Sequence, residues 1–363
     1  MRPSPAAPLV ITSNARTRPG SALGAKAAGA RREAPTIKAL RRVIFFLLIV
    51  VVLYLLLPRL VGPERALGLV RHARWPLLVL AVVVEFVSLA GYADLFRHIL
   101  RVLDVRLRFR TVMNVVLAGL SFSHLFGAGG AAGMVVSYNA LRKRDVPHGL
   151  IFVAIAAQNF FTYIVLWVMF LVAMVSVVSS GRVNPWSYTL ALVLIAGLLW
   201  LTAYGLYLYH HRAKMRRRVS QVAALINRLY RRERIAPENI DEWLDSLFAG
   251  MRRMGTHRGA KRTAVAYSCM FWGFDLLCLY LVFLALGYHV PLAALTVSYA
   301  VANAVGSLAP TPGGLGAIEG LMITLLVSFD VPSPQAIAVV LVYRLINFWI
   351  PIPVGFGSYL AIK

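Results

Sequence analysis

Charge is scarce in this sequence, and negative charge scarcer still. Of 363 residues only 14 are Asp or Glu, against 38 Lys or Arg, and 14% are charged in all; soluble domains carry about 25%. A soluble domain of ordinary composition is excluded. Cysteine is down to two, Cys269 and Cys278. On one expected helix they lie about 13.5 Å apart at 1.5 Å per residue, too far for a bridge. Whole classes of motif are missing as well. There is no HExxH zinc pair, GxSxG elbow, P-loop or CxxC pair, and no strand precedes the glycine-rich runs as a dinucleotide site would require. These absences leave no catalytic constellation, metal or cofactor to expect. The regular alternation of a transmembrane barrel is absent too.

What is there is hydrophobic: 59% of the chain. Several apolar runs reach the roughly 20 residues that cross a bilayer. The expected fold is an all-α polytopic integral membrane protein, with about six full spans and two re-entrant helix hairpins of opposite orientation. Spans are predicted at 41–58, 75–96, 149–178, 187–209, 263–287 and 335–360, with hairpins over 111–141 and 291–330. Residues 1–38, rich in Pro, Ala, Gly and Arg with Glu33 the one acid, form a disordered basic tail. Residues 39–209 and 263–363 are two membrane repeats, and 210–262 is a basic cytoplasmic insert. In it Met215, Val219, Val222, Ile226 and Leu229 recur at helical spacing, as do Ile240, Trp243, Leu244, Leu247, Phe248 and Met251 after a helix start at Pro237–Glu238. These helices lie on an anionic leaflet or pack as a hairpin on the spans.

The net charge of +24 sits beside the spans, which points to membrane orientation and anionic lipid rather than nucleic acid. The basic tail, the 97–110 loop, "RKRD" and the insert go inside; the turns near 179–186, 287–291 and 330–334 go outside. Both termini are then cytoplasmic, provided the two hairpins enter from opposite faces. An internal echo agrees. Val146–Pro147 and Val331–Pro332 each follow a glycine break, and Asn159 and Arg344 each lie thirteen residues after the valine. Inverted repeats of this kind place transporter substrate sites at their interface.

The stretch "LAPTPGGLGAIEG" interrupts apolar sequence at membrane depth, where broken backbone survives only against protein or water. Pro310 and Pro312 end one helix, while Gly313, Gly314 and Gly316 allow unusual dihedrals. A helix starting near Leu315 then aims free amides inward, a site for an anion such as a lipid phosphate. Glu319 lies in its first turn, and Arg344, mid-span, is its expected partner or a fork for the phosphate. Tyr343 and Asn347 flank Arg344. Asp275 and Glu85, also mid-span, either carry a proton, bind a cationic head group or cap a helix break. His124, Gly129 and Gly130 belong to the first break, and Asn159 to the span after it.

"WGFD", "ALG", "LAPTPGGLGAIEG" and "AVVLVYRLINFWIPIPVG" together resemble the lysylphosphatidylglycerol synthase transmembrane (flippase) family. "HLFGAGGAAGMVVSYNALRKRDVP" is similar to its first glycine-rich segment, and the resemblance covers about residues 40–360. Its Pro-x-Pro-Gly-Gly-x-Gly-x-x-Glu pattern falls on Pro310, Pro312, Gly313, Gly314, Gly316 and Glu319, and its Tyr–Arg pair on Tyr343 and Arg344. The resemblance implies an inner-membrane flippase for phospholipids or glycolipids with anionic or modified head groups. Well-known relatives carry a soluble synthase after this domain. None follows Lys363, so lipid aminoacylation is not expected. Where many relatives have an acid and arginines near the first break, Met134, Val135 and Asn159 stand here. A membrane-embedded lipid or polyprenyl-phosphate transferase, and a scaffold for a partner lipid synthase, are the alternatives; a homo-oligomer stays open.

Overall fold

The computed structural model describes residues 73–126, 130–179, 211–230, 258–309 and 311–363, with isolated positions between 204 and 252. All belong to one compact unit, Leu55–Lys363. The tail 1–38, the spans expected at 41–58 and 187–209, and Gly129 and Pro310 lie outside the described residues. Among the described residues ten α-helices follow in order: α1 (Trp75–Val102), α2 (Phe109–Phe126), α3 (Ala131–Arg142), α4 (His148–Ser179), α5 (Arg212–Tyr230), α6 (Arg258–Ala285), α7 (Leu292–Leu308), α8 (Ala317–Ser328), α9 (Ser333–Arg344) and α10 (Pro351–Ile362). A 3₁₀ turn (Pro312–Gly314) precedes α8, and a π turn (Leu345–Trp349) joins α9 to α10. The described residues contain no strand.

Five of these stretches are long and apolar enough to cross a membrane: α1, α2, α4, α6, and α9 continued through α10. On α4, Phe160, Ile164, Val168, Val172 and Val175 form an exposed apolar stripe at steps of three and four. Such a stripe would be an anomaly in water and is ordinary against lipid. α3 and α8 are 12 residues each, about 18 Å at 1.5 Å per residue, too short for a hydrocarbon core of about 30 Å. They are the returning arms of the two hairpins, α2–α3 and α7–α8. The protein is a multi-pass membrane protein of the expected all-α class.

The repeat is visible in the lengths and the contacts. α1 and α6 are 28 residues each and pack together as the most extensive helix pair described. Each hairpin's first helix packs on the span that follows the other hairpin: α2 on α10, and α7 on α4. The helix ends match as well. The turn after α3 reaches Asp145 (φ 58) and that after α8 reaches Asp330 (φ 65). After each, a buried valine donates its amide five residues back, Val146 to Leu141 and Val331 to Leu326. This is the hydrogen bond of a Schellman cap, with aspartate accepting the left-handed conformation usually given to glycine. The recurring Asp-Val-Pro triplet is that cap written in sequence.

Two apolar clusters form around the two hairpins, one on α2, α3 and the start of α4, the other on α7, α8, α9 and the end of α4. α1 contributes Val84 to one and Ala93 to the other, so Glu85 and Ser88 fall in the seam between them. Met215 and Val219 of α5 pack against the first cluster together with buried Leu244 and Phe248. For these residues the insert packs on the helical body.

Three departures from the expected boundaries have physical causes. α1 continues through Val102 into the basic 97–110 segment, where Arg101 is exposed and Arg97 is held by Asp94 and the Phe109 ring. The second break starts with a 3₁₀ turn, so α8 begins at Ala317 rather than near Leu315. The last span is interrupted by the π turn, since Pro351 and Pro353 have no N–H to give to the carbonyls four residues back. Ile350 accordingly donates to Leu345, five residues back, at 3.0 Å.

The α10–α2 contact depends on glycine. A Cβ on Gly355 would run into the Leu117 carbonyl and the Ser121 hydroxyl, which itself donates to the Pro351 carbonyl at 3.1 Å. Gly355→Ala is expected to cost roughly 1–3 kcal/mol, read as a lower thermal unfolding midpoint in detergent. Gly273→Ala, on a helix with open space around that position, should leave the midpoint unchanged.

Candidate functional site

The second break is built by residues that leave regular geometry in turn. Gly313, Gly314 and Gly316 all have positive φ, at 55, 69 and 81°. A Cβ at Gly313 would collide with the Phe348 ring, and one at Gly314 with Ile318 and the Gly306 carbonyl, so both glycines are needed for dihedral and for space. One edge of the break is open, at Thr311 and Gly316, and the other is closed, at Gly314 and Glu319.

Glu319 is the third residue of α8. Its Oε2 accepts the Gly316 amide at 2.7 Å, the reach of an acid back to a helix N-cap. Its Oε1 accepts from Arg344 Nε at 2.6 Å. Arg344 Nη2 donates to the Gly313 carbonyl at 3.1 Å, and the guanidinium lies 4.5 Å from the centre of the Phe348 ring. On that same ring stacks His124, centroid to centroid 4.4 Å, from the end of α2. Arg344 therefore ties the broken backbone, the helix behind it and the last span together, and the Phe348–His124 stack extends the tie to the first hairpin. Both charged groups are 3% exposed.

Beside this pair lies a second polar group. Asp275 Oδ1 accepts from Tyr343 Oη and Asn347 Nδ2, both at 2.9 Å, and its Oδ2 from Tyr299 Oη at 2.6 Å. Asn347 Nδ2 also donates to Glu85 Oε1 at 3.2 Å. Glu85 Oε2 is buried without a hydrogen-bond partner. The site thus draws residues from α1, α6, α7, α8, α9 and the π turn, which brings Asn347 towards the carboxylates.

Glu85, Asp275, Glu319, Tyr343, Arg344 and Asn347 form one network, with Pro312, Gly313, Gly314 and Gly316 at its edge and His124 across Phe348. Asn159 stays apart and donates to the Ile155 carbonyl at 2.9 Å in its own helix. Gly130, with φ 83°, is the N-cap of α3 and belongs to the other hairpin. Two expectations need correction. Three of the four amides from Gly313 to Gly316 are used by the chain itself: Gly314 and Leu315 donate to the Thr311 and Pro312 carbonyls at 3.2 and 3.1 Å, and Gly316 to Glu319. The polar cavity between the repeats is closed, because these short bonds leave Glu85 at 1% and Asp275 at 2% exposure. Sequence reasoning missed Tyr299 and Phe348. Tyr299 carries a signal, as a phenol on a short helix at membrane depth must find a partner; Phe348 carries none.

The two hairpins differ chemically. At the third position of α3, where α8 has Glu319, stands Gly133, whose missing Cβ lets α3 touch the Gly119 carbonyl of α2. Among the described residues, no group of three or more His, Cys, Asp or Glu is placed to hold a metal ion.

Crossed hairpins with a buried acid–base network at their junction define a class of polytopic helical membrane protein. Residues 43–355 match the family described as the lysylphosphatidylglycerol synthase TM region, and the chain belongs to that family. It is similar to the UPF0104 membrane protein MJ1595 of Methanocaldococcus jannaschii, 24% identical over 306 residues, covering 84% of this chain and 90% of that protein. A UPF0104 membrane protein of Methanothermobacter thermautotrophicus is 24% identical over 317 residues, covering 84% and 92%. UPF0104 membrane protein PH1989 of Pyrococcus horikoshii is 23% identical over 304 residues, covering 81% and 89%.

Removing one member of a buried ion pair strands the other. Arg344→Ala is expected to destabilise by about 3–5 kcal/mol. The Arg344→Ala/Glu319→Gln double variant should lose less than the sum of the single losses. Thermal unfolding of the four proteins in one detergent measures both.

Proposed function

We propose that this chain is a lipid translocase, moving a phospholipid or glycolipid with an anionic or modified head group between leaflets. The observation that carries this reading is a helix broken at membrane depth and closed by a buried Glu319–Arg344 pair at the junction of two crossed hairpins. Helical ends and charges of this kind line the substrate sites of repeat-built transporters, and an intramembrane charge is costly enough to be a functional feature by default. The family's name also links its transmembrane region to a lipid.

The described arrangement is an occluded one. For a head group to enter, α8 and α9 must part. A phosphate then replaces Glu319 as the partner of Arg344 in a bidentate fork. The released Glu319 takes a cationic head group where there is one, and Tyr343, Tyr299 and Asn347 offer hydrogen bonds to hydroxyls. The acyl chains remain in the bilayer along the exposed apolar stripe of α4. In this reading both termini lie on the cytoplasmic side, in keeping with the basic segments beside the spans. Arg216 and Arg217, which line an open groove with Ser220 and Gln221 on α5, face anionic lipid there.

Reconstitution in vesicles with fluorescent phosphatidylglycerol, followed by quenching of the outer leaflet, tests the reading. Loss of a charged hydrogen bond of about 1.5–3 kcal/mol predicts that Arg344→Lys, which keeps the charge but not the fork, slows lipid movement at least about tenfold. Equal rates for wild type, variant and empty vesicles would sink it.

A further inference from the structure

Resting on the translocase reading, we propose that Glu85 and Asp275 form a proton-binding site whose loading and release accompany each lipid crossing. The argument is one of geometry and charge count. The two acids come from α1 and α6, the helices that pack along each other across the repeat, and they share a single donor, Asn347 Nδ2. Asp275 has a donor on each oxygen: three hydrogen bonds reach the two. Glu85 does not. Its Oε2 is buried with no donor, although the residue is 1% exposed. A buried ionised carboxylate oxygen without a partner is among the costliest arrangements a fold can hold.

No strong donor among the groups packed around Glu85 fills that vacancy. From α6 come Asp275 and the thiol of Cys278, a weak donor beside Glu85. From α7 comes Tyr299 and from α9 Tyr343, both donating to Asp275. The nearby cation, Arg344, is committed to Glu319 and the Gly313 carbonyl. α2 contributes His124 on the far side of Phe348. α4 reaches α1 through Gln158, which donates to the Tyr92 carbonyl, seven residues along from Glu85. Two acids and no free counter-ion make a site that takes up one positive charge. The occupant is a proton, because a proton on Glu85 supplies the bond that its Oε2 lacks, and among the described residues no group of three or more His, Cys, Asp or Glu is placed to hold a metal ion. The proton comes from water on one side of the membrane and returns to water on the other.

The site is linked mechanically to the lipid pair. Tyr343 and Asn347, which hold Asp275, lie one residue before and three after Arg344. Loading or unloading the acid pair therefore pulls on the same turn that presents the guanidinium.

The test uses the full chain in phosphatidylcholine–phosphatidylglycerol vesicles with a trace of fluorescent phosphatidylglycerol and the membrane potential clamped. With one proton per lipid, a pH difference of one unit is expected to shift the inner-to-outer ratio of the label by up to about tenfold, and a protonophore should abolish the shift. Glu85→Gln should lose the response to the gradient. In infrared spectra of the same vesicles, the protonated-carboxyl band at neutral pH should be present in wild type and missing in Glu85→Gln, while Glu85→Asp retains it. Lipid movement indifferent to the gradient, a response kept by Glu85→Gln, or a sodium gradient serving equally well would overturn the proton site and leave the translocase standing. No lipid movement with the infrared band intact would overturn the translocase and the coupling together.

Discussion

An arginine and a glutamate held 2.6 Å apart fasten a broken segment of chain to the span behind it. The fracture at Pro312 to Gly316 exposes backbone that lipid cannot satisfy, and the helix after it starts with a positive dipole end. Glu319 answers both needs, one oxygen on the Gly316 amide and the other on Arg344. Arg344 in turn satisfies the Gly313 carbonyl. Neither residue is stable at this depth without the other, and the broken backbone depends on both. Phe348 completes the arrangement by filling the space that Gly313 leaves open and by stacking on His124.

Around that point the fold is a duplicated unit of long helix, hairpin and span. Its halves are tied crosswise, α2 to α10 and α7 to α4, so that neither hairpin is packed by its own repeat alone. The π turn belongs to the same logic. Two prolines in "WIPIP" forbid regular bonding, and the resulting extra residue per turn brings Asn347 towards Asp275 and Glu85. A defect in the helix thereby supplies the donor that joins two acids from different helices.

Much of this was legible in the residues. Long apolar runs, short arms after glycine breaks and the twice-written Asp-Val-Pro state the all-α membrane class and the repeat, because each follows from local chemistry. The meeting of Glu319 with Arg344 could be named, since a charge at membrane depth demands a partner and few exist. What could not be read is which neutral polar groups converge. Tyr299, Tyr343 and Asn347 lie on separate elements, and only packing decides that all three reach Asp275. Nor do Pro351 and Pro353 say whether a helix will kink, stop or bulge. The closure of the cavity was likewise invisible, as it depends on hydrogen bonds made within the break itself.

The replacement of Glu319 by Gly133 at the matching place in the other hairpin has a consequence of its own. In a perfectly duplicated carrier, the arrangement opening to one side is the mirror of that opening to the other, and the two have equal energy. Here one half bears a charge pair and the other a bare glycine against a carbonyl, so that degeneracy is lifted. For the proposed translocase, this asymmetry sets a resting side in the primary structure, before any gradient or ligand acts upon it.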